Sequence, residues 1–269
     1  MSLSVAITGA AGRMGRGLIV GVNEDPGLEL VGATVRPGDR QAGVDAGLLA
    51  GVGALGVVTC ETRGAAYASA QVVVSFTPPQ AALHDAQAAA DAGLPIVVGA
   101  TGWDDERLAR LHALADTTAI VVAPNFSVGI WVLTGLVAQA AALLSDFDVE
   151  LVELHHKHKT DAPSGTALHL AAAAAQARSA SLDDLAVLTR EGPAAGPRPD
   201  GVIGIQTLRG GDATGEHTVL LLGSGERLEL THRTASRAAF VSGALRSAKW
   251  LVDRPAGLYS LADVLGAGA

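Results

Sequence analysis

The chain has few of the residues that mark secreted, membrane-spanning and nucleic-acid-binding proteins. Cysteine occurs once in 269 residues, so an intrachain disulfide cannot form and nothing indicates an oxidising compartment. No apolar run reaches the roughly 20 residues that span a bilayer, and the first residues lack the basic segment of a signal peptide. Acidic residues outnumber basic ones by 27 to 19, which argues against nucleic acid as a partner. We therefore expect a cytoplasmic protein with neither a membrane nor a nucleic-acid partner.

Aromatic residues are also scarce, at 3 % of the chain, whereas hydrophobic residues reach 49 % and charged residues 17 %. This composition is globular rather than disordered, and Ala, Val, Leu and Ile must fill the core. The single cysteine, Cys60, has no motif around it. It is therefore expected to be a small core or edge residue, with a nucleophile as the alternative.

The first half of the chain alternates short apolar runs with helical patterns. The apolar runs, interpreted as strands, are Ser4–Thr8, Leu28–Thr34, Val72–Phe76, Pro95–Gly99 and Thr118–Ala123. The helical patterns between them are Met14–Asn23, Pro79–Ala92 and Asp105–Ala115. Several strands are rich in Val and Ile without alternation, which is typical of a parallel sheet buried on both faces. The order predicts βαβ units with right-handed crossovers.

After Asn125 the pattern changes. A long helix and a strand come first, then a polar segment, an Ala-rich helix, a loop rich in Pro and Gly, three strands, a final helix and a short tail. The long helix is Val128–Leu144, the strand is Val149–Leu154, the polar segment is His155–Thr166, and the Ala-rich helix ends near Ala177. The loop is Glu191–Gly201, the three strands are Val202–Arg209, Glu216–Leu222 and Glu226–Thr231, and the final helix is Ala239–Val252. The last three strands are closely spaced and joined by short turns that contain glycine, which predicts a mostly antiparallel sheet.

A glycine-rich turn follows the first strand directly and opens the first helix. It reads Gly9-Ala10-Ala11-Gly12-Arg13-Met14-Gly15. Gly9 permits a tight turn, Gly12 lets the backbone approach a pyrophosphate, and Gly15 lets helix and strand pack closely. The helix N-terminus then offers N–H groups to the phosphates. The turn predicts dinucleotide binding, with a plain βα turn as the alternative.

The second strand lacks the acid that usually binds the adenine ribose at its end. It finishes Ala33-Thr34-Val35-Arg36. Arg36, alone or together with Arg40, could clamp a 2′-phosphate instead. This favours NADPH over NADH, unless both arginines are only solvated loop residues.

The segment Glu153–Thr166 concentrates basic and titratable groups between a strand and a helix. It reads Glu-Leu-His-His-Lys-His-Lys-Thr-Asp-Ala-Pro-Ser-Gly-Thr. No cysteine lies nearby and the histidines lack the i, i+4 spacing of a helical zinc site, so no metal is expected. A solvated loop is the plainer alternative. The helix start at Pro163–Thr166 can bind a carboxylate through backbone N–H groups, and the histidines and lysines add positive charge and transferable protons.

At these motifs the sequence resembles the 4-hydroxy-tetrahydrodipicolinate reductase (dihydrodipicolinate reductase) family, nearly from end to end. The most specific motif is E-x-H-H-x-x-K-x-D-x-P-S-G-T at Glu153–Thr166. Six further segments support the resemblance: Gly9–Gly15, Phe76-Thr77, Gly99-Ala100-Thr101-Gly102, Pro124–Gly129, Gly215-Glu216-His217 and Thr231-His232-Arg233.

The resemblance implies a role for each matching residue. His155 and Lys159 would be the acid/base pair, and His156, Ser164, Gly165 and Thr166 would bind the carboxylates of the substrate. The residues that would line the cofactor, NADPH or NADH, are Gly9, Ala10, Ala11, Gly12, Arg13, Met14, Phe76, Thr77, Gly99, Ala100, Thr101, Ala123, Pro124, Asn125 and Phe126. Arg36 is added to these residues because it could bind a 2′-phosphate of the cofactor.

The resemblance also implies the fold, the assembly and the reaction. The fold would be α/β: a Rossmann-type parallel sheet domain, residues 1–126 with 237–269, and an inserted α+β domain, residues 127–236, with a mostly antiparallel sheet. The assembly would be a homotetramer formed through the inserted domains. The reaction would be the NAD(P)H-dependent reduction of a small cyclic dicarboxylate at C4 with loss of water, on the diaminopimelate route to lysine.

Three positions depart from the usual pattern of the family. Val35 replaces an acid, Ala100 replaces the first Thr of Gly-Thr-Thr, and Ser75 replaces the Asp of Asp-Phe-Thr. All three affect contacts with the cofactor and leave the chemistry intact.

Two rival functions share the N-terminal turn. Another NAD(P) oxidoreductase, similar to aspartate dehydrogenase, would have no reason to carry His155-His156 with Lys159 and Pro163–Thr166. A non-catalytic NADP sensor would have lost this basic cluster, yet the cluster is complete.

Overall fold

The computed structural model describes residues 2–266, except for the side chain of Ala194. Residue 1 and residues 267–269, which the first predicted domain includes, lie outside the described residues. The described chain divides into two compact units. Unit 1 contains the residues up to Ser127 and those from Arg237 onward, and unit 2 is Val128–Ser236.

Strands and helices are numbered here in chain order. The strands are β1 (Leu3–Thr8), β2 (Leu28–Ala33), β3 (Val72–Ser75), β4 (Ile96–Val98), β5 (Ala119–Val122), β6 (Asp148–His155), β7 (Ala186–Val187), β8 (Ile203–Arg209), β9 (Gly215–Leu222), β10 (Arg227–Thr234) and β11 (Gly257–Tyr259). The helices are α1 (Arg13–Glu24), α2 (Ala46–Ala50), α3 (Arg63–Tyr67), α4 (Pro79–Asp91), α5 (Asp105–Leu114), α6 (Val128–Leu143), α7 (Gly165–Ala177), α8 (Leu182–Leu185), α9 (Ala238–Leu251) and α10 (Leu261–Val264). None of these described helices is long and apolar enough to cross a bilayer.

Unit 1 contains a six-stranded sheet in the order β11-β5-β4-β3-β1-β2, and every pairing is parallel. Strands β3 and β4 are buried along their whole length, as runs of Val and Ile without alternation predict. The Rossmann-type fold is confirmed. The prediction that only a short tail follows the last predicted helix is wrong, because Gly257–Tyr259 pairs with β5 as a sixth strand. Three residues are too few to show an apolar period.

Unit 2 contains a five-stranded mixed sheet in the order β10-β9-β6-β8-β7. Strands β9 and β10 pair antiparallel across their short glycine turn, as expected, and β9 also pairs antiparallel with β6. The short glycine turn between β8 and β9 does not make those two strands pair, so the sheet is mixed rather than mostly antiparallel. Strand β8 instead lies parallel to both β6 and β7. The connection from β6 to β8 is long and contains α7, and a long helical crossover permits parallel pairing.

Helices α6 and α7 of unit 2 provide the residues that cover one face of this sheet. The core joins Leu133 and Val137 of α6, Leu170 of α7, and Val149 and Leu151 of β6. Burial alternates along β6, so Val149, Leu151, Glu153 and His155 all point to the buried face. The same face that packs the core at one end of β6 therefore carries polar groups at the other.

Candidate functional site

The turn between β1 and α1 in unit 1 requires glycine at two positions. Gly9 has a φ of +68°, which L side chains rarely adopt, and a Cβ there would lie 2.8 Å from Thr77 Cγ2. A Cβ on Gly15 would overlap the carbonyl oxygen of Gly9. The helix therefore passes against the turn at backbone contact, as a dinucleotide-binding turn requires.

The N-terminus of α1 is capped by Gly12, whose extended backbone carries no side chain to accept from the first turn. The first amides of a helix lack intrahelical acceptors and favour an anion. The turn itself is fixed by a bond from the Ala10 amide to Thr34 O at 2.8 Å and one from the Gly12 amide to Gly9 O at 2.9 Å. The first turn of α1, which begins at Arg13 and Met14, thus presents backbone beside a fixed turn, and this fits a pyrophosphate.

A cavity of about 440 Å³ adjoins this turn within unit 1. Its lining comes from the glycine turn, the end of β2, the start of α3 and the segment after β3. The residues are Gly9, Ala11, Gly12, Thr34, Val35, Arg36, Pro37, Asp39, Glu61, Arg63, Phe76, Thr77, Pro78, Ala81 and Asp85. These are the positions at the carboxyl edge of a parallel sheet where such folds bind dinucleotides. The residues present therefore fit a nicotinamide dinucleotide.

The other residues predicted to line the cofactor follow β4 and β5 at the same edge of the sheet. A Cβ on Gly99 would overlap the ring of Phe76, so the two are in close contact. The rings of Phe76 and Phe126 lie 5.4 Å apart. Gly99-Ala100-Thr101 and Ala123-Pro124-Asn125-Phe126 thus meet the segment after β3, although only Phe76 and Thr77 of this group line the cavity.

Arg36 lies on the wall of the cavity with its side chain 85 % exposed. Its Nε donates to Asp39 at 3.1 Å. Sequence reasoning did not take account of Asp39, which partly neutralises the cation expected to bind a 2′-phosphate.

Asp85 is a buried acid of the cavity that sequence reasoning missed. Its Oδ2 accepts from the hydroxyls of Thr8, Ser75 and Thr77 at 2.8 to 2.9 Å, and its Oδ1 accepts from Arg63 Nε at 2.6 Å. Its place on α4, in an Ala-rich stretch, carries no sequence signal. Position 75, where the family pattern has an acid, thus carries a serine that donates to an acid of a neighbouring helix.

In unit 2 the pairing of strands assembles a polar cluster around Glu153. Strand β6 lies between β9 and β8, and the register places His217 and Thr207 on either side of Glu153. Arg209 lies opposite His155 in the same register. Strand geometry alone therefore brings these five side chains together.

The carboxylate of Glu153 is fully buried and accepts hydrogen bonds from four residues. Arg209 donates to both oxygens at 2.9 Å, the Ser164 amide donates at 3.0 Å, and Thr207 Oγ1 donates at 3.2 Å. The ring of His155 completes the set through Nδ1. Burial raises the pKa of Glu153, but the bonds from Arg209, His155 and Ser164 outweigh it and hold the pKa below its usual range.

His155 is held by this carboxylate in one tautomer. An ionised carboxylate only accepts, so Nδ1 carries the proton and Nε2 of the neutral ring is an acceptor. Burial lowers the pKa of His155, and the attraction of Glu153 offsets this only in part. The imidazole is therefore neutral near pH 7.

Ser164 links the start of α7 to a second buried histidine. Its hydroxyl accepts from the Ala167 amide at 3.1 Å as the helix cap and lies 3.2 Å from His217 Nε2. His217 Nδ1 is buried without a partner among residues 2–266. Burial, with His155 as the next cause, lowers the pKa of His217 to about 4.

Lys159 follows the strand and is oriented by an acid. Its Nζ donates to both oxygens of Asp161 at 2.9 and 2.8 Å, and its side chain is 21 % exposed. Hydrogen bonds from Lys159 lower the pKa of Asp161. Sequence reasoning counted only the positive groups of this segment and gave no role to Asp161.

His156 and the start of α7 hold the remaining residues predicted to bind substrate. The His156 amide donates to Ala213 O at 2.7 Å, and its Nδ1 is buried without a partner in the described part of the chain. Gly165 and Thr166 form the first turn of α7 directly after the Ser164 cap. A helix start, a half-buried lysine and a neutral imidazole together suit an anionic substrate that must exchange a proton.

The glycine turn and cavity of unit 1, together with the polar cluster around Glu153 in unit 2, define an oxidoreductase that uses a nicotinamide dinucleotide. Two family models, both described as dihydrodipicolinate reductase, match the chain. The N-terminal model matches residues 3–126 and the C-terminal model matches residues 129–265. The chain belongs to the dihydrodipicolinate reductase family.

Individual relatives agree over nearly their whole length. The chain is 49 % identical to the 4-hydroxy-tetrahydrodipicolinate reductase of Anaeromyxobacter dehalogenans over 97 % of each chain. It is 47 % identical to that of Halorhodospira halophila over 99 % of this chain and 100 % of the relative. Among solved structures, a dipicolinate-bound dihydrodipicolinate reductase from Paenisporosarcina sp. TG-14 is similar with a TM-score of 0.73. Its identity is 26 %, with coverage of 97 % of this chain and 98 % of that one.

Proposed function

We propose that this chain reduces 4-hydroxy-tetrahydrodipicolinate to tetrahydrodipicolinate with NADPH or NADH, and that the cluster around Glu153 performs the proton chemistry. The observation that carries the proposal is the buried Glu153 carboxylate, which sets the tautomer of His155 and anchors the start of α7 through the Ser164 amide. When bound, the nicotinamide supplies the hydride that C4 of the diacid receives. The 4-hydroxyl leaves as water, and one proton balances the reaction.

The substrate carboxylates bind at the first turn of α7. Gly165 and Thr166 begin this helix, the first amides of a helix favour an anion, and the Ser164 cap holds that turn in place. His156 adds a ring whose buried Nδ1 has no partner among the described residues. The dicarboxylate named in the Paenisporosarcina structure, dipicolinate, has the chemistry that such a site takes.

His155 and Lys159 divide the proton transfer. The neutral His155 ring, with its proton on Nδ1, offers Nε2 as an acceptor and so orients or deprotonates a donor group. Lys159 supplies the balancing proton, since Asp161 holds its ammonium in place. Both side chains lie on one short segment, His155–Asp161, that begins inside the sheet and ends at the surface.

The decisive experiment compares two lysines two residues apart. Lys159→Ala should lower turnover roughly 10²–10⁴-fold, the usual contribution of a positioned acid or base. The affinity for NADPH should hardly change, because unit 1 holds the dinucleotide turn. The matched control is Lys157→Ala, since Lys157 is exposed on the same segment.

Steady-state oxidation of NADPH with the cyclic diacid and equilibrium binding of NADPH give the two readouts. No oxidation by the wild type would favour an NADP sensor, and oxidation only with other substrates would favour the aspartate-dehydrogenase-like rival. Equal losses in the two lysine variants, or a loss of NADPH binding equal to the loss of turnover, would remove Lys159 from the proposal.

The same proposal includes a cytoplasmic homotetramer formed through unit 2. Its support is the outer face of the second sheet, where Leu208 of β8 is 50 % exposed and Leu154 of β6 and Leu220 and Leu222 of β9 are half-buried. Exposed apolar residues on neighbouring strands are typical of an interface. Light scattering at micromolar concentration should give four times the mass of the chain, and a monomer would reject the tetramer.

A further inference from the structure

A second arginine lines the dinucleotide cavity and differs from Arg36 in how it is held. Arg63 stands at the start of α3 with its side chain 32 % exposed. Its Nε donates to Asp85 at 2.6 Å and its Nη2 to Ala81 O at 3.5 Å. Two bonds in the plane of a guanidinium fix the orientation of that plane.

The carboxylate that binds Arg63 is itself held in place by hydrogen bonds. Asp85 is almost fully buried and is held by three hydroxyls from Thr8, Ser75 and Thr77, at the ends of β1 and β3. Arg36, in contrast, pairs with Asp39 in a pair whose arginine is almost fully exposed, and such pairs contribute little. Arg63 is therefore the ordered arginine of the cavity and Arg36 the adaptable one.

The charges of the cavity decide which part of a dinucleotide Arg63 can contact. Two arginines, Arg36 and Arg63, face three acids, Asp39, Glu61 and Asp85, so the lining has no positive excess. The charge of Arg63 is offset by Asp85 at 2.6 Å. A dianionic 2′-phosphate gains little from such a pair, whereas a planar guanidinium still stacks on an aromatic ring.

We infer that Arg63 is an adenine-binding residue that serves NADH and NADPH alike, through the face of its guanidinium. The inference rests on the proposed placement of the dinucleotide in unit 1. The adenosine half of a dinucleotide lies at the end of the second strand in such folds, and Thr34, Val35 and Arg63 line one cavity there. Arg63 thus fixes the adenine, while any discrimination of the 2′-phosphate falls to Arg36.

The test uses two probes that lack nicotinamide, ADP-ribose and its 2′-phosphate, and isothermal titration to measure binding. Arg63→Leu should raise the Kd of both probes by a similar factor, roughly 3- to 30-fold, the range of a cation–π contact. Arg63→Lys should do the same, because it keeps a cation beside Asp85 and removes the planar face. Arg36→Ala is the matched control and should weaken only the 2′-phosphorylated probe.

Three different outcomes would contradict the inference or the dinucleotide placement on which it rests. Weaker binding of the 2′-phosphorylated probe alone in Arg63→Leu would make Arg63 a phosphate ligand and overturn the inference. Wild-type affinity in Arg63→Lys would show that charge and not the planar face matters, and would also overturn it. Should the wild type bind neither probe, the placement of the dinucleotide itself would fall. Because Arg63→Lys retains the ion pair with Asp85, its melting temperature should match the wild type.

Discussion

The dinucleotide turn of unit 1 and the Glu153 cluster of unit 2 are built in opposite ways. The turn presents backbone: Gly12 caps α1 without a side chain, and Gly15 lets the helix pass against Gly9. The cluster presents side chains, with one buried carboxylate that four residues hold. A backbone site depends on the absence of side-chain atoms, whereas a side-chain site depends on complete pairing of its charges.

The two regions also use burial differently. Asp85 in unit 1 and Glu153 in unit 2 are both buried acids paired with an arginine. Three hydroxyls surround Asp85, and its arginine faces a cavity, so it serves to position neighbours. Glu153 bonds directly to an imidazole, so its charge sets the protonation of that ring. An acid paired with an arginine therefore positions a side chain of the cavity wall in unit 1 and sets the tautomer of a histidine in unit 2.

The largest effect should come from removing the charge at Glu153. Glu153→Gln leaves the half-buried Arg209 without its carboxylate, and breaking such a pair typically costs about 3–5 kcal/mol of unfolding free energy. The amide also no longer dictates the tautomer of His155, so turnover should fall about 100-fold or more. Urea unfolding and steady-state turnover give the two measurements, and NADPH binding should be unaffected.

Glu150→Gln is the matched control for this change. Glu150 lies on the same strand and pairs with Arg198, but on the opposite face and with part of its side chain exposed. It should lose less stability than Glu153→Gln, because Arg198 keeps its bonds to Asp148 and to the carbonyl oxygens of Val149 and Val202, and it should keep its turnover. Equal effects of the two substitutions on turnover would mean that Glu153 only supports the fold.

His217 should make the stability of unit 2 depend on pH between about 6.5 and 4. Its pKa is about 4 in the folded chain against an ordinary 6.5. The unfolded chain therefore binds a proton between pH 6.5 and 4 that the folded chain does not, so stability falls as the pH is lowered through this window. A shift of this size corresponds to about 3 kcal/mol.

The measurement is urea unfolding at pH 7, 5.5 and 4.5 for the wild type and His217→Gln. The variant keeps a polar group near Ser164 but has nothing to protonate. Its loss of stability between pH 7 and 4.5 should be smaller than that of the wild type by most of this amount. Parallel curves for the two proteins would show that other groups cause the acid sensitivity.

The sequence predicted the backbone-built region of the molecule better than the side-chain-built one. Val and Ile runs without alternation identify β3 and β4, since a strand buried on both faces needs apolar residues at every position. Positive φ at Gly9 and close packing at Gly15 are likewise local requirements. The three-residue β11 escaped prediction because it becomes a strand only by pairing with β5.

In unit 2 the motif Glu153–Thr166 indicated the segment that carries the polar cluster, but two hydrogen-bond partners of Glu153 lie on another strand. Arg209 and Thr207 reach Glu153 only because β8 lies parallel to β6 in one register, and sequence spacing gave no hint of it. Alternation along β6 could have shown that Glu153 and His155 share the face of Val149 and Leu151. In unit 1, the Asp85–Arg63 pair joins two helices across the chain and has no local signal either.

The smallest of these effects, and the one that isolates the backbone site, is expected at Gly15. A methyl group there gains up to about 1 kcal/mol of helix propensity but overlaps Gly9 O, so the turn must shift at a cost of about 1–3 kcal/mol. The first turn of α1, which follows Gly12, then moves away from the pyrophosphate, and Gly15→Ala should raise the Kd of ADP-ribose roughly 10-fold. Gly135→Ala in α6 is the control, since a Cβ there meets open space. Isothermal titration would contradict the backbone account if both variants bound ADP-ribose as tightly as the wild type.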